Sequence, residues 1–235
     1  MSQYFETPNS QLHTEAITAT IWGREYTFTT ANGVFSGSRL DPGTAVLFRD
    51  TEPPSYEPDK TAVADATSIG VAQALEDSAT GTLATGANSA ATSAPRFLDL
   101  GCGYGPIAIA LATECPWARI DAVDTNERAL ELTRRNAAAH GVADRVRCFT
   151  PDEADSATTY DEIWSNPPIR IGKEALHELL LTWLARLTPT GTATLVVNKN
   201  LGADSLQSWL ETQSYPTQRL GSAKGFRVLR VTPSR

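Results

Sequence analysis

The chain has 235 residues, 41% of them hydrophobic, and can therefore bury one sizeable core without disulfides or a bound metal to hold it. Its formal net charge of −7 opposes non-specific attraction to nucleic acid, although residues 219–235 are locally basic. The three cysteines lack paired or metal-ligand spacing, and no run approaches the ~20 apolar residues of a membrane helix. These features argue against a disulfide framework, a metal site and a membrane span. With no basic and apolar leader at its start, the chain is predicted to be cytoplasmic.

The first 50 residues predict a small β extension. Residues 16–30 are rich in β-branched and aromatic side chains, which predicts a hairpin with its turn at Gly23-Arg24. A second turn is predicted at Asn32-Gly33, and a short helix over 44–48.

Residues 51–95 differ in character and predict a low-complexity surface insertion. Prolines cluster at its start, and positions 78–95 are mostly Ala, Thr, Ser and Gly. Such a composition buries too little to offset the entropy of ordering the backbone. One helix is predicted inside it, over 64–76.

From residue 96 to 235, strands and helices alternate, which predicts an α/β domain with a doubly wound parallel sheet. Strands are predicted over 96–100, 118–124, 145–150, 160–165, 192–198, 217–222 and 226–231, the last two forming a hairpin. Helices are predicted over 107–112, between the cap Asn126 and the stop Gly141, over 172–187 and over 203–213.

A glycine-rich turn joins the first of these strands to its helix. Gly101, Gly103 and Gly105 alternate there, so the backbone can adopt positive φ angles and approach a ligand closely. The spacing is G-x-G-x-G rather than the G-x-G-x-x-G of dinucleotide sites, and Asp99 precedes it. A carboxylate at that position repels a pyrophosphate and suits a cationic ligand.

Two further motifs end strands at the same predicted edge of the sheet. Asp124 ends the second strand about twenty residues after the glycine turn, where a carboxylate can accept both ribose hydroxyls of a nucleoside. The fourth strand ends in Asn166-Pro167-Pro168, in which the prolines fix the backbone and remove two donors. The remaining acceptors can hold the hydrogens of an exocyclic NH₂ group and direct its lone pair.

The glycine turn with Asp99 and Asp124 closely resembles the class I S-adenosylmethionine-dependent methyltransferases. That resemblance implies a Rossmann-like sheet of seven strands with a C-terminal antiparallel hairpin, and S-adenosyl-L-methionine as cofactor. The residues that it implies for cofactor binding are Asp99, Gly101, Cys102, Gly103, Gly105, Asp124, Thr125, Asp152 and Asn166. For contact with adenine, Glu153 and Asp155 compete with Asp152.

The Asn-Pro-Pro motif narrows the resemblance to methyltransferases of amino nitrogens, and it implies that Asn166, Pro167 and Pro168 are catalytic. Three more stretches, over 33–36, 40–44 and 224–229, resemble the ribosomal RNA small subunit methyltransferase C family and its single-domain relatives. This implies methylation of guanine N2, with ribosomal RNA or a ribosomal subunit as partner.

The chain departs from that family where the substrate would bind. Ile169 replaces the aromatic residue that usually follows the prolines, and Phe35 is a candidate to stack on the base instead. Lys173 ends a stretch, 169–173, that resembles the single-domain members. The protein is expected to lack the duplicated N-terminal domain of the ribosomal enzymes, which leaves its substrate open.

Two other functions stay open on the sequence alone. A glutamine-amide methyltransferase acting on a protein such as a release factor shares Asn-Pro-Pro, but that group keeps the aromatic residue and adds a helical N-terminal domain. A cofactor-binding module without catalysis could recognise RNA or the ribosome, yet intact Asn166 and Asp124 argue against it.

Overall fold

The computed structural model describes residues 13–36, 38–55, 94–168 and 171–233, which contain nine strands and five α-helices. The strands are β1 (Thr14–Ile21), β2 (Arg24–Ala31), β3 (Arg96–Leu100), β4 (Arg119–Val123), β5 (Val146–Phe149), β6 (Tyr160–Ser165), β7 (Leu187–Asn198), β8 (Thr217–Ala223) and β9 (Phe226–Val231). The helices are α1 (Pro42–Arg49), α2 (Pro106–Glu114), α3 (Glu127–Ala139), α4 (Lys173–Leu184) and α5 (Ala203–Thr212). The helix predicted over 64–76 lies outside the described residues. Among the helices that are described, none has the length and apolar character to cross a bilayer.

Seven strands form one mixed sheet in the order β5-β4-β3-β6-β7-β9-β8. The first five are parallel, and β9 runs antiparallel to both of its neighbours. The chain winds outward from β3 in one direction and from β6 in the other. The loops after β3 and β6 therefore diverge and leave a crevice at the carboxyl edge, where open α/β sheets bind ligands. The predicted seven-stranded doubly wound sheet with its C-terminal hairpin is confirmed.

Helices cover both faces of this sheet. On one face, Leu111 of α2 and Leu130 of α3 are buried in a cluster that also includes the β1-β2 hairpin. On the other face, Leu180 and Trp183 of α4 pack with Leu210 of α5. The apolar stripe predicted for the fourth helix is thus core packing, and it fixes the sheet that carries the crevice.

The N-terminal hairpin is confirmed, but its predicted turn is wrong by one residue. Pairing closes at Ile21 and Arg24, so the two turn residues are Trp22 and Gly23. Both have positive φ, 46° and 80°, as a type I′ hairpin turn requires. The non-glycine residue is held there because its indole Nε1 donates to the carbonyl of Thr51 at 2.8 Å.

Asn136 of α3 connects that helix to the hairpin through hydrogen bonds. The spacing of apolar residues along the helix gives no indication of this role. Asn136 is buried, and its Oδ1 accepts from the backbone N–H of Thr29 at 2.8 Å. Its Nδ2 donates to the carbonyls of Thr29 at 3.0 Å and Tyr104 at 2.8 Å. One side chain thereby satisfies backbone groups of both β2 and the glycine turn.

Replacing that side chain by Asn136→Ala is expected to lower the free energy of unfolding by about 2–3 kcal/mol, because three hydrogen bonds are lost and buried backbone groups stay unsatisfied. Chemical denaturation measures this. The neighbouring Arg135→Ala is the control: it removes an exposed i,i+4 ion pair with Glu131, worth at most about 0.5 kcal/mol. Equal effects of the two substitutions would show that the hydrogen bonds of Asn136 add little to the stability of the fold.

The helix predicted over 172–187 ends earlier, at Leu184, and the following strand begins at Leu187 rather than at 192. Leu187 continues the helical spacing of apolar residues, yet it pairs with Tyr160 in the sheet. The pairing then shifts register, and at Gly191 a Cβ atom would lie 2.8 Å from the carbonyl oxygen of Tyr160. The glycine permits a bulged strand that begins five residues before the predicted start at 192.

Candidate functional site

A cavity of about 320 Å³ opens at the carboxyl ends of β3, β4 and β6. Its wall includes Val34, Phe35, Asp41, Thr44, Gly101, Cys102, Gly103, Asp124, Thr125, Asn166, Pro167, Pro168, Asn198 and Phe226. Among the residues that the structure describes, the wall of the cavity contains two carboxylates, Asp41 and Asp124, and no Lys, Arg or His. Such a wall suits a cationic ligand and disfavours a pyrophosphate.

The glycine turn forms the floor of the cavity. Gly101 and Cys102 donate their backbone N–H groups to the carbonyl of Val123, at 2.8 and 3.0 Å, which ties the turn to the end of β4. Gly103 has a φ of 58°, and a Cβ atom added there would meet nothing within 4 Å. The turn is therefore anchored on one side and open to a ligand on the other.

Gly105 has a different role from its two partners. It is the N-cap of α2 with a φ of 88°, and it is not among the described residues of the wall. A Cβ atom at this position would lie 2.8 Å from Cγ2 of Thr133. The third glycine thus lets α2 and α3 pack closely beneath the site.

Gly105→Ala is expected to destabilise the fold by about 2–5 kcal/mol, the sum of about 1–2 for a left-handed backbone and about 1–3 for overpacking. The matched control is Gly141→Ala, which has a φ of 68° and no atom within 4 Å of the added Cβ, so that only the backbone contribution applies. Thermal unfolding of both variants gives the comparison. A control that unfolds at the same temperature as Gly105→Ala would contradict the packing role.

Asp124 lies where the end of β4 meets the glycine turn. Its Oδ2 accepts from Gly103 N–H and its Oδ1 from Asn126 N–H, both at 2.9 Å. Burial raises the pKa of Asp124, whereas the N–H bonds from Asn126 and Gly103 act in the opposite direction. The backbone N–H of Thr125 acts on the pKa in the same direction, so three N–H groups face this carboxylate. A carboxylate has about four acceptor positions, and Asp124 can therefore still accept from a ligand hydroxyl.

Asp99 lies beneath the turn rather than in the described wall. It is fully buried; Oδ2 accepts from Ala108 N–H at 2.9 Å, and Oδ1 has no partner in the described part of the chain. Burial raises the pKa of Asp99 to about 8, and the charge of Asp124 adds to the effect. This carboxyl is therefore mostly protonated at neutral pH.

The stability of the protein is expected to fall between pH 5 and 8 because of Asp99. Its pKa is about 8 when folded and about 3.9 in an unfolded chain, so the folded state retains a proton that the unfolded state releases. The resulting stabilisation is complete below pH ~4 and is lost as the pH rises towards 8. The substitution Asp99→Asn keeps an oxygen that can accept from Ala108 N–H but removes the group that titrates.

Melting temperatures of wild type and Asp99→Asn across that range test this expectation. The wild-type curve should decline more steeply. Other titrating groups, including the carboxyl of Glu162, whose pKa is raised by burial to about 7, contribute equally to both proteins. Parallel curves would mean that Asp99 is ionised in the fold.

Asn166 follows β6 and stands in the wall beside Pro167 and Pro168. Its Nδ2 donates to Oδ1 of Asp41 at 2.7 Å and to Oγ1 of Thr44 at 3.0 Å. A Cβ atom on Gly101 would lie 3.8 Å from Cδ of Pro168, so the proline segment and the glycine turn adjoin each other at the cavity. The structure therefore brings the two strongest sequence motifs together.

Of the remaining residues predicted to bind the cofactor, two lie in the cavity wall and one does not. Cys102 and Thr125 lie in the wall of the cavity. Asp152 is in a single 3₁₀ turn, Pro151–Glu153, where its side chain is exposed while Pro151 contributes to the wall.

The residues predicted to contact substrate are also separated. Phe35 lies in the wall and is 46% exposed, an unusual state for a large apolar side chain. Lys173 is the first residue of α4, exposed and outside the described wall. Ile169 lies outside the described residues.

The sequence motifs predict no site role for several polar and aromatic residues of the wall, among them Asp41, Thr44, Asn198 and Phe226. Three of these four lie in the stretches 40–44 and 224–229, which were noted only for their resemblance to the family. Asp41 caps α1, so that helix begins at Pro42, two residues before the predicted start. Asp followed by Pro is a typical pattern for the start of a helix, so the sequence could indicate the cap of α1. The same pattern does not indicate that Asp41 lines a cavity. The contact partner of Asp41 is 125 residues away, and no spacing rule indicates it.

A doubly wound seven-stranded sheet carries, at its switch point, an acidic cavity, a ligand-accessible glycine turn, a carboxylate with free acceptor positions and an Asn-Pro-Pro segment. These features define a class I methyltransferase that depends on S-adenosyl-L-methionine, a cationic nucleoside whose charge and hydroxyls the wall suits. The chain belongs to the methyltransferase small domain family, whose model matches residues 71–230.

The relatives of this chain match it over very different shares of their length. The chain is 28% identical to the protein YbxB of Bacillus subtilis over 231 residues, covering 97% of this chain and 96% of YbxB. It is 30% identical to a ribosomal RNA small subunit methyltransferase C of Hahella chejuensis over 204 residues, 85% of this chain but 47% of that enzyme. A release factor glutamine methyltransferase of Chlorobaculum tepidum is 45% identical over 92 residues, 36% of this chain and 30% of that protein. The chain thus spans less than half the length of these two enzymes.

Among solved structures, the T. thermophilus 16S rRNA N2 G1207 methyltransferase, in complex with AdoMet and guanosine, superposes with a TM-score of 0.66 at 22% identity. The match covers 96% of this chain and 52% of that one. The two proteins share a fold.

Proposed function

We propose that this methyltransferase acts on an exocyclic amino group of RNA, and specifically on guanine N2 of ribosomal RNA. The observation that carries the proposal is Asn166, which stands in the cavity wall with its amide nitrogen bonded to Asp41 and Thr44. The atom left for a substrate is the amide oxygen, an acceptor suited to the hydrogens of an amine.

Different residues of the cavity wall would bind different parts of the cofactor. Asp124 would accept from the ribose hydroxyls of the cofactor with the acceptor capacity that the backbone N–H groups leave, and Gly103 offers open space beside the turn. When bound, S-adenosyl-L-methionine would supply a methyl group on a positively charged sulfur, which would leave as a neutral thioether with the electrons of the broken S–C bond. The amine lone pair forms the new N–C bond, and the cationic nitrogen that results loses one proton to solvent. The carboxylates of Asp41 and Asp124 favour the charge of the sulfur in the cavity.

Asn166 would orient the nucleophile rather than deprotonate it. The lone pair of an exocyclic amine is delocalised, and an amide oxygen that accepts one N–H bond turns that lone pair away from the ring. An amide side chain does not titrate near neutral pH, so Asn166 holds the amine hydrogens without removing them. Alignment of reacting groups is worth up to ~7–11 kcal/mol in intramolecular systems, which makes positioning a sufficient source of catalysis.

Two observations favour RNA over protein as the substrate. The likeness to the Hahella RNA methyltransferase extends over 85% of the chain, compared with 36% for the release factor enzyme. Phe35 also presents an aromatic ring, 46% exposed, beside the cavity, where a base could stack. The locally basic segment 219–235 allows contact with phosphates but does not itself favour RNA, since Arg219 and Arg227 are paired with Asp204.

Incubation with tritiated S-adenosylmethionine tests the proposal, using ribosomal subunits, naked ribosomal RNA and release factors from cells that lack the gene. Such material carries no prior methylation at the target. The proposal expects label in ribosomal RNA. Label in a release factor would instead support the glutamine-amide function, and cofactor binding without label in any fraction would support a non-catalytic module.

A further inference from the structure

We propose that Asp41 and Thr44 are positioning residues for methyl transfer, and that together they convert Asn166 into a pure hydrogen-bond acceptor at the cavity. The inference rests on the proposed function of Asn166 and assigns the residues that enforce its orientation. They belong to the cap and first turn of α1, far from the Asn-Pro-Pro segment in the chain.

The identity of the amide atom that faces Asp41 follows from the chemistry of its neighbours. Oδ1 of Asp41 already accepts from the backbone N–H groups of Gly43 at 2.7 Å and Thr44 at 3.0 Å. An oxygen that receives two N–H bonds is an acceptor, so the Asn166 atom 2.7 Å from it must be the nitrogen.

Both hydrogens of that nitrogen are then engaged. One is donated to Asp41 and the other to Oγ1 of Thr44, which is itself buried with 4% exposure. No hydrogen bond to Oδ1 of Asn166 forms within the part of the chain that the structure describes. The side chain has no donor left, and it can meet a substrate only through its oxygen.

Reversing the amide would be costly. The flipped side chain would place its oxygen 2.7 Å from the Asp41 carboxylate and replace that hydrogen bond by a repulsive contact between two acceptors. The hydroxyl of Thr44 can donate as well as accept, so the carboxylate of Asp41 decides the orientation and Thr44 supports it. A substrate group that offers only acceptors, such as a carbonyl or a bare ring nitrogen, then finds no donor at Asn166. The pair Asp41–Thr44 thereby selects for N–H groups and for amine nucleophiles.

The local structure keeps Asp41 in place. Its side chain caps α1 and Pro42 begins the helix with a fixed φ, so the carboxylate is held by the same bonds that start the helix. At Gly43 a Cβ atom would lie 2.9 Å from both Asp41 Oδ1 and Cε1 of Phe226, so glycine allows the close approach. The cap of α1 and the Asn-Pro-Pro segment thus share one acceptor, Oδ1 of Asp41.

Asp41→Ser separates the two duties of the residue, because serine still caps a helix but is too short to reach Asn166. We expect turnover with tritiated S-adenosylmethionine and gene-deletion ribosomal subunits to fall about 10- to 100-fold, as for other small misplacements of a reacting group. Asp41→Ser also removes a carboxylate from the cavity wall, so calorimetry measures its affinity for S-adenosylmethionine and turnover is compared at saturating cofactor. Thr44→Val, which removes one hydrogen bond and keeps the shape, should lower turnover less, and Thr44→Ser should restore it.

A double-mutant cycle with Asn166→Ala distinguishes positioning from general destabilisation. If Asp41 acts through Asn166, the double variant Asp41→Ser/Asn166→Ala is no slower than Asn166→Ala alone. Arg49→Ala, on the exposed end of α1, is the control and should leave turnover unchanged.

Three results would overturn the proposal. They are wild-type turnover in both Asp41→Ser and Thr44→Val, losses that add in the double variant, and failure of Thr44→Ser to recover the activity lost in Thr44→Val. Wild-type turnover in Asn166→Ala would remove the proposed role of Asn166 itself, and this inference with it. Because Thr44→Val retains the cap of α1, the test stands even where Asp41→Ser does not fold.

Discussion

Asn166→Ala is expected to reduce methyl transfer by a hundredfold or more while S-adenosylmethionine binds as in the wild type. One oriented hydrogen bond used in the transition state contributes ~2.7–4 kcal/mol in comparable sites, which corresponds to that factor in rate. The proposed partner of Asn166 is the substrate amine, so the cofactor loses no contact in the proposed arrangement. Single-turnover rates with labelled cofactor, beside calorimetric affinities, separate the two effects.

The structure changes the expectation for Asn166→Asp. From the sequence alone, aspartate is the milder substitution, because it keeps an acceptor of the same shape. In the fold it would face the Asp41 carboxylate where a 2.7 Å donor bond now lies, and two carboxylates at that distance repel. We therefore expect Asn166→Asp to be nearly as slow as Asn166→Ala. Robust turnover by Asn166→Asp would contradict the contact with Asp41.

Asp124→Ala is expected to weaken S-adenosylmethionine binding at least tenfold. Hydrogen bonds to a charged group contribute ~1.5–3 kcal/mol each, and about 1.4 kcal/mol corresponds to a factor of ten. The substitution also frees Gly103 N–H, which the carboxylate holds at 2.9 Å, so the glycine turn loses an anchor.

Calorimetry with Asp124→Ala and with the exposed Asp144→Ala gives the comparison, and circular dichroism checks that both retain the fold. Asp144 pairs only loosely with Arg145, at 3.7 Å, and should bind cofactor as the wild type does. An Asp124→Ala protein of unchanged affinity would remove this carboxylate from the cofactor site.

The parts of the fold that the sequence predicts well are those encoded by local patterns. The glycine turn, the cap at Asn126 and the apolar stripe of α4 depend on residues within a few positions of one another. Because the carboxyl ends of parallel strands meet at one edge of the sheet, Asp124 and Asn166 can be predicted to lie at one cavity without knowledge of side-chain contacts.

What the sequence does not predict depends on long-range partners. Asn136 is a polar residue in a helix and gives no sign that it bonds the backbone of β2, 107 positions away. Asp41 indicates a helix cap and lies in a family-like stretch, but nothing in the sequence indicates that the same oxygen also accepts from Asn166. Leu187 satisfies both a helical and a strand pattern, and only pairing with Tyr160 decides between them.

The most direct test of the central claim is the identity of the methylated product. Ribosomal RNA from the labelling reaction, digested to nucleosides and analysed by mass spectrometry, is expected to contain N2-methylguanosine with wild type and none with Asn166→Ala. Label recovered in another nucleoside, or in glutamine of a protein, would contradict the assignment of guanine N2.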